Sequence, residues 1–162
     1  MNLLKRAKKP IIGSELAEKF DVSRQVIVQD IALLRAAGEE VIATSQGYLL
    51  PGEKENKYYR TTIACKHNDH QVEDELMIIV NHGARIIDVM VEHPIYGELR
   101  GMLMIQAAED VKQFMKKYRE EGATLLSSLT DGVHLHTIES LNKEVVDRLK
   151  MALREKGYLL EN

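Results

Sequence analysis

Two histidines separated by a single residue, His134 and His136, stand in the string Val133–His134–Leu135–His136–Thr137–Ile138. Successive strand residues point to opposite faces, so both imidazoles project from one side while Val133, Leu135 and Thr137 take the other. A rigid pair of imidazoles suits divalent first-row metals, which accept nitrogen donors readily. The competing reading is a half-exposed strand with two polar rings. Glu75 follows Val72 by three residues and precedes Ile79 by four, which places it on the apolar side of a helix. A carboxylate buried there needs a cation or hydrogen-bond donors, and a metal would supply the charge. An exposed edge position beside Glu73 and Asp74 would explain the same spacing. His67 ends the strand that leads into this helix and is near enough in sequence to join Glu75. Three imidazoles and a carboxylate would fill four metal positions and leave room for water or a ligand on an ion that prefers six. All six histidines lie between His67 and His136, which confines any metal chemistry to that part of the chain. His70 and His82 read as loop or helix-end residues. Cys65 reads as a small strand residue, though its nearness to His67 keeps it within reach of such a site.

The elements that must position these groups alternate from residue 57 onward. Strands are expected over 61–66, 85–92, 98–105 and 133–138, with the turn His93–Pro94–Ile95–Tyr96–Gly97 between the second and third. Helices are expected over 72–81, over 109–121 where Gly122 stops it, and over 142–156 where Gly157 stops it, with a last strand at 158–160. The mixture predicts an α+β sandwich with helices on one face of a mostly antiparallel sheet.

Residues 51–56, Pro51–Gly52–Glu53–Lys54–Glu55–Asn56, offer no apolar side chain to a core and carry Pro/Gly punctuation. They predict a linker between a first domain, 1–50, and a second, 57–162. The first reads as a short helix over about 2–7, a helix from Gly13 and Ser14 to Phe20 burying Leu16, Ala17 and Phe20, then a third to Ala37. Ser23 is its N-cap and Gly38 its left-handed stop. Ile27, Ile31 and Leu34 face inward, whereas Arg24, Gln25, Val28 and Gln29 face out. Strands at 41–43 and 48–50 around Thr44–Ser45–Gln46–Gly47 complete a hairpin wing.

Three helices and a wing form a winged helix-turn-helix pattern, whose third helix enters the major groove N-terminal end first. Arg pairs with guanine and Gln with adenine through two bonds, and Val28 can meet a thymine methyl. Ser23, Arg24, Gln25, Val28 and Gln29, with Thr44, Ser45 and Gln46 of the wing, are therefore the expected contacts to operator DNA. Winged helices also serve as protein-interaction modules, in which Arg and Gln are ordinary solvated residues. The net charge of −3 hides an asymmetry, +1 over residues 1–50 and −4 over the remainder, so the front end would bind DNA. A single cysteine excludes an internal disulfide and the apolar runs are too short for a membrane span, so a soluble cytoplasmic protein is expected.

Four separated strings carry a resemblance over essentially the whole chain. They are Val22–Ser23–Arg24–Gln25–Val26–Ile27–Val28–Gln29–Asp30–Ile31, Ile42–Ala43–Thr44–Ser45–Gln46–Gly47–Tyr48, Val91–Glu92–His93–Pro94–Ile95–Tyr96–Gly97–Glu98 and Gly132–Val133–His134–Leu135–His136–Thr137–Ile138–Glu139. Together the chain resembles bacterial regulators that join a helix-turn-helix to a three-histidine (3H) domain, a group that includes niacin-responsive repressors of NAD-synthesis and niacin-uptake genes. The resemblance implies a dimeric repressor, not an enzyme, with an HPr-like C-terminal domain. It implies a divalent transition metal such as nickel, zinc or iron, with nicotinate as corepressor. It also implies that His67, Glu75, His134 and His136 are the metal ligands. His93 resembles another characteristic histidine of the group, and with Tyr96 and Arg100 it is the expected effector contact, Arg100 meeting a carboxylate through two parallel bonds. The competing readings are a turn-stabilising His93 before Pro94 and a solvated strand residue at Arg100. Here the chain departs from its group in the extra His70 and in the short first helix. Two other readings stay open: a repressor that answers to the metal itself, and a metal-dependent hydrolase.

Overall fold

The computed structural model describes residues 2–52 and 57–161. Of the expected linker, residues 53–56 lie outside that description. The chain divides into two compact units, Met1–Lys54 and Glu55–Asn162. Among the described residues no helix is long and apolar enough to cross a membrane.

In the first unit the helices are α1, Asn2–Arg6, α2, Gly13–Phe20, and α3, Arg24–Ala36. Leu4, Leu16, Ala17, Ile27, Ile31 and Val41 form its core, with Leu34 packed against them. Phe20 departs from expectation: in the last turn of α2, next to the left-handed Asp21 at φ 53°, it is 58% exposed and lies outside the core formed by Leu16 and Ala17. The Ser23 hydroxyl caps α3 by accepting from Val26 N, and Gly38 follows the helix at φ +92°. Strands β1, Ile42–Thr44, and β2, Gly47–Leu49, make the wing. A third extended residue supports it, since Ile11 exchanges backbone bonds of 2.9 and 2.8 Å with Tyr48. Gly47 is required at that junction, where a Cβ would stand 2.4 Å from the Ile11 carbonyl oxygen.

The second unit contains β3, Tyr59–Lys66, α4, Val72–Asn81, β4, Arg85–His93, β5, Gly97–Ile105, α5, Ala108–Glu121, β6, Val133–Ser140, and α6, Lys143–Glu155. Short 3-10 helices at Asp69–Gln71 and Leu126–Thr130 were not expected from the pattern. The sheet is antiparallel throughout, in the order β3-β6-β4-β5. Ile63, Ile86, Leu103, Ile105 and Ile138 meet Leu76 and Ile79 of α4, Val111 and Met115 of α5, and Leu149 and Leu153 of α6 in one core. The helices therefore cover a single face, as the alternation implied, while Val133 and Leu135 on the other face are 40% and 38% exposed. The expected last strand at 158–160 is reduced to one bridge, Cys65 to Leu159, flanked by bonds from Lys66 N to Tyr158 O and from Leu160 N to Ala64 O.

One glycine fixes the approach of β3 to β6. Gly132, at φ +86°, lies so close to the end of β3 that a Cβ would stand 2.2 Å from the His67 carbonyl oxygen. Gly132→Ala is expected to destabilise the second unit by more than the roughly 1–3 kcal/mol of backbone strain alone. Gly122→Ala is the control, because it shares a positive φ of +59° but has nothing within 4 Å. Thermal unfolding should show a clearly larger drop for Gly132→Ala, and equal drops would contradict the close approach.

Candidate metal centre and DNA-reading face

β6 delivers His134 and His136 to the inner face, α4 delivers Glu75 from above, and the end of β3 delivers His67. All four are buried, with exposures of 3%, 3%, 1% and 8% in that order. His67 Nε2 stands 2.6 Å from Glu75 Oε2, His134 Nε2 3.2 Å from both carboxylate oxygens, and His136 Nε2 3.5 Å from Oε2. The His134 ring makes edge contacts with the His67 and His136 rings, at centroid distances of 4.8 and 4.9 Å. The carboxylate proposed from helix spacing is thus buried rather than at an exposed edge.

The other side of each imidazole decides its chemistry. His67 Nδ1 donates to Asn68 O at 3.0 Å, His134 Nδ1 to Gly132 O at 2.8 Å, and His136 Nδ1 to Asp88 O at 2.7 Å. A carbonyl oxygen only accepts, so all three rings carry their proton on Nδ1. In neutral rings each Nε2 then aims a lone pair at the Glu75 carboxylate, an arrangement that repels unless a cation lies between. Three separate protons would leave excess positive charge in a buried pocket, which is costly. One divalent ion answers all three rings at once, and carbonyl-anchored imidazoles are what metal-binding histidines normally show. Two donors about 2.1 Å from one ion stand about 3.0 Å apart at right angles and about 3.4 Å apart at the tetrahedral angle. The His134 and His136 distances to Glu75 are close to this, whereas His67 at 2.6 Å makes a direct hydrogen bond and must move back to admit an ion. The donor set therefore fits a divalent transition metal.

Electrostatics report the same tension. Burial pushes the Glu75 carboxyl up, but His136, His134 and His67 outweigh it and hold it well below the ordinary range. Burial pushes His67 and His136 down, yet the Glu75 carboxylate leaves both above the usual histidine value. Without metal, the raised histidines contribute stability that is full below the unfolded histidine pKa of about 6.5 and is lost as pH rises through their folded values. Metal must displace those protons, so its stabilising increment should grow from about pH 6 to about pH 8. Melting curves with chelator and with metal across that range check this, and an increment independent of pH would contradict it.

Asp88 was missed by sequence reasoning. Fully buried in β4, it accepts from Thr137 N through Oδ1 at 3.0 Å and from His136 through its carbonyl. Arg100 Nη1 lies 3.3 Å from Oδ2, but that oxygen has no hydrogen bond, so the pairing there is electrostatic. An acid inside the apolar string Arg85–Ile86–Ile87–Asp88–Val89–Met90–Val91 was the available signal. Tyr158 was missed as a neighbour too: its ring meets the His67 ring edge-on at 5.2 Å, and its hydroxyl donates to Asp74 at 2.8 Å. The extra His70 is exposed, and Asn68 and Gln71 cap each other across its turn.

A cavity of about 40 Å³ opens beside Glu75, His134 and His136, walled by apolar side chains that include Val89, Phe114 and Leu126. None of the three residues expected to hold an effector lines it. His93 Nδ1 accepts from the backbone of Ile95 and Tyr96 at 3.2 and 3.4 Å, a turn-stabilising role. Tyr96 is 73% exposed, and Arg100 pairs with Glu98 and Asp88.

In the first unit, Ser23, Arg24, Gln25, Val28 and Gln29 are all exposed along one end of α3. Thr44, Ser45 and Gln46 are half-buried at the wing. Thr44 closes that turn by donating to Gly47 O at 2.9 Å and accepting from Gln46 N at 3.1 Å.

Residues 1–49 match a helix-turn-helix (HTH) domain and residues 60–162 a 3H domain. The chain belongs to the family of helix-turn-helix regulators that carry a 3H domain. It is similar to the probable transcription repressor NiaR of Thermotoga maritima, 43% identical over 161 residues that cover 99% of this chain and 91% of that protein. It is equally similar to the transcription repressor NadR of Bacillus subtilis, 43% identical over 161 residues covering 98% and 89%.

Proposed function

We propose that the protein is a DNA-binding transcription repressor of NAD-biosynthesis and niacin-transport genes, with nicotinate as corepressor and a divalent metal in its second unit. The first part of this reading is supported by the helix-turn-helix match and by the repressor names of two relatives aligned over nearly the whole chain. The observation that carries the metal is the convergence of three Nδ1-anchored imidazoles on buried Glu75. His67, Glu75, His134 and His136 hold the ion, which when bound offers an acceptor site to a carboxylate or pyridine nitrogen.

Beside the His/Glu cluster lies a small cavity with apolar walls from Val89, Phe114 and Leu126, of a character that suits a flat apolar ring though not of its size. Its volume of about 40 Å³ is too small for a pyridine ring without movement of those walls. Binding therefore shifts the walls, and a ligand that prefers one arrangement can bias DNA affinity. The functional unit is a cytoplasmic homodimer, whose two recognition helices meet two operator half-sites.

A mobility-shift titration with DNA from upstream of a niacin-uptake gene tests the reading. Nicotinate should tighten binding by roughly 5–150-fold in metal-loaded protein, the usual span of allosteric coupling. A response to metal alone, with none to nicotinate, would make the ion itself the signal.

A further inference from the structure

The chain's one cysteine lies in the same nest of side chains. Cys65 is fully buried and stands opposite His134 in the register of β3 with β6. Directly opposed residues of antiparallel strands share a face, so the thiol and the imidazole emerge side by side. Single donor atoms of Cys65, Glu75 and His134 lie within 4.8 Å of one another. The sulfur thus faces the same carboxylate as the three rings, from the β3 side. Cys65 also belongs to the apolar core, so its sulfur lies at the boundary between that core and the His/Glu cluster.

We propose, resting on the metal reading above, that Cys65 is a further metal ligand, which makes the centre a mixed nitrogen, oxygen and sulfur site. As the ion enters, the S–H bond breaks, a metal–sulfur bond forms and the proton leaves to solvent, with no change of oxidation state. The thiolate softens the donor set and shifts preference toward zinc, cobalt and nickel over manganese and magnesium.

Cobalt(II) is the probe, used with the full-length protein and with Cys65→Ser and Cys65→Ala. Wild type should bind one cobalt per chain and show an intense thiolate-to-cobalt charge-transfer band in the near ultraviolet. Both variants should lose that band while metal analysis still finds one cobalt per chain on the three imidazoles and Glu75, which also shows that the site has folded. The affinity ratio of zinc to manganese should fall in both. One cobalt per chain without a charge-transfer band in wild type would overturn the thiolate assignment and leave the His/Glu site standing. A band that persists in the variants would overturn it as well. No cobalt bound to wild type would remove the metal reading and the thiolate with it.

Discussion

Metal content falls from about one ion per chain to nearly none when His134 and His136 are both replaced by alanine; this is the largest effect expected of any substitution pair. The two rings supply two of the four His/Glu ligands from one strand, and His67 with Glu75, even with Cys65 beside them, is too sparse a set to hold an ion tightly. Truncation also leaves Glu75, 1% exposed, with only His67 among its imidazole partners. Breaking a buried charge pair by removing partners typically costs about 3–5 kcal/mol. The second unit should melt well below its normal temperature, and added metal should no longer raise it. The first unit has a core of its own and should keep its helical signal and its binding to random DNA. Metal analysis that still found one tightly held ion per chain in the double variant would contradict the ligand assignment.

The second large effect lies at the other end of the chain. Replacing Arg24, Gln25 or Gln29 by alanine should each cost about 1–3 kcal/mol against the specific operator and little against random DNA. All three are exposed, Gln25 and Gln29 on the side of α3 away from buried Ile27 and Ile31 and Arg24 at its N-terminal end, so truncation removes no core contact. Lys5, also exposed, is the control, since loss of a phosphate contact weakens both DNAs alike. Fluorescence anisotropy on the two DNAs checks this, and equal losses on both for all three variants would mean that another face reads the bases.

The clustering of His67, Glu75, His134 and His136 was legible because each signal was local. Strand alternation placed His134 and His136 together, helix spacing placed Glu75, and His67 lay at the end of the strand that feeds the helix. What spacing could not give was the anchoring of each Nδ1, because carbonyls from Asn68, Gly132 and Asp88 are supplied by loop geometry and a neighbouring strand. Asp88 stayed hidden for the same reason, its partners being 48 and 49 residues away. Phe20 was misplaced because helical spacing gives a residue's face and not how far along the helix the small core of the first unit extends. The wing's third extended residue, Ile11, was invisible because it pairs across a long gap with a strand already complete in sequence, whereas the last strand expected at 158–160 was found only as the single bridge of Leu159. The cavity beside the cluster depends on Val89, Phe114 and Leu126, which share no motif and meet only in the folded unit.

On the proposed function, operator binding by the first unit is coupled to nicotinate and metal binding by the second, and linkage gives that coupling a sharp form. If nicotinate tightens operator binding by some factor, operator DNA must tighten nicotinate binding by the same factor. Calorimetric titration of nicotinate, with and without saturating operator, in metal-loaded and metal-stripped protein, measures all the required affinities. The expected result is the same factor in both directions for loaded protein, within roughly 5–150-fold, and none after stripping. An undiminished factor in stripped protein would separate the effector pocket from the His67, Glu75, His134 and His136 cluster and contradict the account.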